Sequence, residues 1–162
     1  MTCLMKLFRP ILDTACLALL AVGCVTQKKY EQVVDSFPPL SPGEGRIFFY
    51  RESSLHGAGS GAPVELNNQF VGSEWDDFFF YVDRPAGNYV LSSPSGATKK
   101  YNISFTLEAG ETKYFNFKWK FAAFGLNAEP SLQDKDSAMR VLSRCLYNPN
   151  ATQRFHDHPP GM

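Results

Sequence analysis

Two segments with strict alternation do most to limit what this chain can fold into. Tyr101, Ile103, Phe105 and Leu107 are interleaved with Asn102, Ser104 and Thr106, and Phe115, Phe117, Trp119 and Phe121 with Asn116, Lys118 and Lys120. A period of two puts one set of side chains on each face of a strand, so each segment reads as a strand with one buried face. The four residues Glu108-Ala109-Gly110-Glu111 between them suit a hairpin loop, so the two strands are expected to be antiparallel neighbours. Trp119 falls on the apolar set and is expected in the core.

Upstream, the pattern of short strands and turns continues. Arg46 to Arg51 is aromatic on both faces, as suits a strand covered on both sides. Pro63 to Leu66 and Gln69 to Glu74 flank Asn67-Asn68, a pair that tolerates the positive φ of a type I′ turn, which predicts a hairpin. Phe78 to Val82 and Tyr89 to Ser93 are joined by Asp83-Arg84-Pro85-Ala86-Gly87, and a further strand is expected over Gly125 to Glu129. Phe78, Phe79, Phe80 and Tyr81 cannot share one face, so burial on both faces is expected. Ala138, Val141, Leu142 and Cys145 recur at helical spacing behind Asp134 and Asp136, which predicts one amphipathic helix over Asp136 to Leu146. The fold class is therefore mainly β: an antiparallel β-sandwich of about seven or eight strands with one C-terminal helix.

The N-terminus carries an address. Lys6 and Arg9 precede an uncharged stretch from Thr14 to Gly23, which closes as Leu20-Ala21-Val22-Gly23-Cys24. That box resembles the one at which lipoprotein signal peptidase cuts once the cysteine sulfur is diacylated. Ten residues make a helix of about 15 Å, half of the roughly 30 Å hydrocarbon core, so the segment is too short to be an anchor in its own right. Residues 1–23 are read as a signal peptide and Cys24 as the lipidated N-terminus. Val25, in place of Asp, favours sorting to the outer membrane, facing the periplasm. With Lys6, Arg9 and Asp13 removed, 14 basic residues face 15 acidic ones, a balance that excludes the basic stripe of a nucleic-acid surface. Residues 24–44, with Pro38, Pro39 and Pro42, read as a tether of up to some 65 Å, residues 45–146 as the domain and residues 147–162 as a loose tail.

The succession Gly45-Arg46-Ile47-Phe48-Phe49-Tyr50-Arg51, Pro63-Val64, Asn67-Asn68, Val71-Gly72, Phe80-Tyr81-Val82-Asp83 and Pro85-x-Gly87-x-Tyr89 resembles a family of bacterial lipoproteins known as domain of unknown function 2846. The resemblance covers Gly45 to Leu146. It implies a lipid-anchored β-sandwich and transfers no catalytic residue. The chain departs from the pattern at Asn68, where a turn glycine is usual, in the acidic insert Trp75-Asp76-Asp77, and in the tail after Asn150.

Chemistry-bearing residues are sparse. Cys3 and Cys16 leave with the signal and Cys24 carries lipid, so Cys145 has no disulfide partner and reads as a buried hydrophobe. His156 and His158 around Asp157 are competent metal ligands, yet two imidazoles on a tail make a poor site, and no metal or cofactor is expected. Ser53 to Gly61 crowds serines, glycines and His56, but has neither a nucleophile elbow nor a phosphate-loop lysine. An envelope hydrolase using this loop is the alternative reading. The expected role is non-catalytic binding of an envelope protein or glycan, with Trp75, Asp76 and Asp77 as the candidate contact. A Trp75 folded over the sheet edge is the competing assignment.

Overall fold

The computed structural model describes residues 27–54, 59, 61–94, 101–122 and 125–152. Among them nine strands form two sheets: β1 (Glu44–Tyr50), β2 (Gly61–Leu66), β3 (Gln69–Trp75), β4 (Phe78–Pro85), β5 (Gly87–Ser93), β6 (Tyr101–Leu107), β7 (Thr112–Ala122), β8 (Gly125–Gln133) and β9 (Leu146–Tyr147). One sheet runs β8-β7-β1-β4-β9 and the other β3-β2-β5-β6. The protein is thus mainly β. The four-stranded sheet is antiparallel, whereas the five-stranded sheet is mixed, because β1 pairs with β7, and β4 with β9, in parallel.

The Asn67-Asn68 turn takes φ values of 51° and 63°, as its sequence predicts. The link from β6 to β7 differs from expectation. It does not close a hairpin: β6 pairs with β5 in one sheet, while β7 lies between β1 and β8 in the other. The turn instead docks on the start of β1, where Gly110 N–H donates to the Glu44 carbonyl at 2.8 Å. Gly45 permits this approach, since a Cβ there would stand 2.8 Å from both the Leu107 side chain and the Glu108 carbonyl.

The inner faces of the sheets share a core of Ile47, Phe49, Ala62, Val64, Phe80, Leu91, Leu107, Phe115 and Phe117. The alternate residues of the central strands, Phe48, Tyr50, Phe79 and Tyr114, form a second cluster on the outer face. Phe78 to Tyr81 is accordingly divided between the two faces. Phe121 departs from the buried pattern of its strand and is 76 % exposed. β1 ends level with Asn116, and β7 runs on with only β8 beside it among the described strands.

Two short helices and a strap cover the outer face and edge. The segment expected as a tether instead forms α1 (Tyr30–Val33) and a 3₁₀ turn (Val34–Ser36). The Phe37 ring lies 4.5 Å from that of Tyr81, and Tyr30 lies 5.6 Å from Phe79. Uncovered aromatic rings on the sheet supply the reason these residues pack. Arg46 lies 4.4 Å above the Tyr81 ring and forms a bidentate pair with Asp83 at 2.7 and 2.8 Å. The helix α2 (Lys135–Leu142) is shorter than expected and is capped by Asp134, which accepts from Ser137 N–H at 2.8 Å. The tail departs from its expected start too. Tyr147 belongs to β9, Asn148 N–H donates to Phe79 at 2.9 Å, and the buried Ala151 accepts from Ser73 N–H at 2.8 Å. Residues 148–151 therefore tie the edge of one sheet to the edge of the other.

Candidate functional site

At the end of β1 the inward alternation Ile47, Phe49 delivers Arg51 to the space between the sheets, where it is 1 % exposed. Its guanidinium contacts Glu74 Oε2 at 3.4 Å and Asp76 Oδ1 at 3.0 Å, and lies 5.4 Å over the Trp119 ring. Trp119 Nε1 donates to Glu74 Oε1 at 3.1 Å. One strand end, the β3–β4 corner and the middle of β7 thus converge on a buried polar cluster. Burial pushes the Glu74 carboxyl up to about 7, against the pull of Arg51 and of the Trp119 hydrogen bond. A guanidinium between two carboxylates is satisfied without solvent, and this is the condition for burying such a charge.

The three residues expected to form a binding patch each have partners within the fold. Trp75 is half-buried and pairs with Gly61 across β2 and β3, where a Cβ on Gly61 would come within 2.7 Å of the indole. Its ring occupies the space above that glycine. Asp76 is committed to Arg51, and it also accepts from Ser53 Oγ at 3.4 Å and Ser54 N–H at 3.2 Å. Asp77 makes the turn at φ 63°, and its carbonyl accepts from Leu146 N–H at 2.9 Å. Burial raises the Asp77 carboxyl, and the charge of Asp76 adds to the effect.

The hydrolase loop begins at Ser53 and Ser54, but the carboxylate it meets is the one engaged by Arg51; His56 lies outside the described residues. Cys24, His156, Asp157 and His158 lie outside them as well. Among the described residues no three His, Cys, Asp or Glu side chains are grouped to hold a metal ion. Cys145 is buried, its thiol is pushed up to about 12 by burial, and its sulfur donates to the Arg51 carbonyl at 3.5 Å. It is a neutral thiol in packing, not a nucleophile.

Where β1 turns away from β7, a cleft of about 210 Å³ opens between Glu52, Ser53 and Ser54 on one side and Asn116, Phe117, Lys118 and Trp119 on the other. Asn116 is 7 % exposed and its Oδ1 has no hydrogen-bond partner among the described residues. The buried hydroxyl of Tyr50, its register partner on β1, is likewise unpartnered. Buried polar atoms of this kind cost free energy unless something satisfies them. Sequence reading missed Arg51, Glu74, Asn116 and Trp119 as a group. The one local signal was a charged residue directly beside an aromatic one at each strand end, Arg51 after Tyr50 and Glu74 before Trp75.

Residues 41–127 match the family described as a protein of unknown function, DUF2846. The chain belongs to the DUF2846 family. The matched stretch of this DUF2846 chain contains Arg51, Glu74, Asp76, Asn116 and Trp119, while α1, α2 and β9 lie outside it. Comparison with curated proteins and with solved structures finds no match.

Proposed function

We propose that this chain is a bacterial envelope lipoprotein, held on the membrane through lipid on Cys24, whose β-sandwich domain binds a protein or glycan and performs no catalysis. The observation that carries the binding role is the cleft beside β7, lined in part by Asn116, whose Oδ1 is buried with no hydrogen-bond partner among the described residues. A concave site with a few convergent polar groups is the usual form of a ligand pocket. Commitment of Asp76 to Arg51 weighs against the hydrolase alternative, which needs a carboxylate to orient its base. The signal box ending at Cys24 supports the anchor, and Val25 supports the outer membrane. The test is a photo-crosslinking residue at Lys118, exposed beside the cleft, compared with one at Asn88, exposed on the other sheet. A discrete adduct in the native envelope from position 118 and none from 88 is the expected result. Absence of any adduct from 118 overturns the reading.

A further inference from the structure

The path of the chain between Cys24 and the domain fixes how far the domain can stand from a membrane, and this argument rests on the lipid-anchor reading above. Tyr147 N–H donates to the Lys28 carbonyl at 2.8 Å, and Lys29 forms an antiparallel bridge with Leu146. From there α1 and the 3₁₀ turn continue along the outer face, where Val33 is 5 % exposed and Tyr30 and Phe37 join the aromatic cluster. The chain is therefore part of the domain from Lys28 onward. Four residue steps separate Lys28 from Cys24, a span of at most about 14 Å at full extension. A lipid on Cys24 thus holds the β9 edge at the headgroups.

That edge presents Lys28 and Lys29, both exposed; Arg144, on the segment leading into β9, is paired with Glu52 at 3.1 Å, and Glu31 and Asp77 are further acidic neighbours. We infer that the β9 edge of this domain is a docking surface for anionic phospholipid headgroups, with Lys28 and Lys29 against the phosphates, and that the domain works at the bilayer surface. Each lysine near an anionic leaflet adds attraction that falls away within a Debye length, so the short leash is what makes two lysines sufficient.

The experiment couples the chain from Cys24 onward, which contains every described element, to maleimide-headgroup lipid in phosphatidylglycerol vesicles. Cys145 is buried, which leaves Cys24 as the reacting thiol. Lysines are then acylated with a water-soluble reagent and read by mass spectrometry. Labelling of Lys28 and Lys29 should fall several-fold on anchoring, while Lys135, which follows the opposite edge strand β8, is unchanged. Inserting about twenty Gly and Ser residues after Val25, in high salt, should restore labelling. Equal labelling of Lys28 and Lys29 on vesicles and in solution overturns the inference, as does protection spread evenly over Lys118 and Lys135. Chemical coupling makes the result independent of whether cells acylate Cys24, which fatty-acid incorporation scores separately.

Discussion

Replacing Glu74 with Gln tests the buried polar cluster through its effect on the pH dependence of stability. In the folded chain burial holds the Glu74 carboxyl at about 7, against an ordinary value of 4.5. Between those values the folded chain keeps a proton that the unfolded chain has released, so stability from this group is fully present below pH 4.5 and is lost as pH rises through 7. At about 1.4 kcal/mol per pH unit the loss amounts to about 3 kcal/mol. Gln retains an oxygen for Trp119 Nε1 and removes the ionisation. Urea unfolding of both proteins, followed by tryptophan fluorescence between pH 4.5 and 8, gives their stability difference at each pH. That difference should shift by about 3 kcal/mol in favour of Glu74→Gln across the range. A difference that stays constant with pH refutes the argument and means that Glu74 ionises as an ordinary surface carboxylate does.

Three other substitutions address packing. Gly61→Val places a side chain into the Trp75 ring and should destabilise the chain by about 1–3 kcal/mol, a loss that Trp75→Ala partly relieves; additive losses in urea unfolding would disprove the contact. Phe37→Ala, in the segment read from sequence as a tether, should cost on the order of 2 kcal/mol and lower the thermal midpoint, whereas an unchanged midpoint shows that the segment is not packed. Trp119→Phe removes the donor to Glu74 and should cost about 1–2 kcal/mol at pH 8, with a smaller loss at pH 5, where Glu74 is protonated; equal losses at the two pH values contradict that link.

What was legible in the sequence was local. The alternation in β6, the Asn67-Asn68 turn and the two-faced aromatic run of β1 each follow from period-two patterning and backbone preference, and each stands in the structure, whereas the alternation of β7 is broken by the buried Asn116 and the exposed Phe121. The partners of those strands were not legible. A four-residue link between alternating strands reads as a hairpin, yet here it crosses from one sheet to the other, because Gly45 admits the turn against β1. The polar cluster was hidden for the same reason: Arg51, Glu74 and Trp119 are distant in sequence and meet only through the packing of the two sheets. Trp75 beside two aspartates suits either a solvent-facing anchor or a ring folded over the sheet edge, and sequence alone does not show that its cross-strand neighbour is a glycine with room for the ring. Composition alone makes the proline-rich segment before β1 a tether, but the outer-face rings that hold Tyr30 and Phe37 come from strands far along the chain.

The anchor is the claim on which location, orientation and working distance all depend. Its most direct test is mass spectrometry of the N-terminal peptide of the protein isolated from the membranes of its native host. The account predicts a peptide that begins at Cys24 and carries a diacylglyceryl group on the sulfur. A peptide that extends upstream of Cys24, or one that begins there with an unmodified thiol, contradicts it.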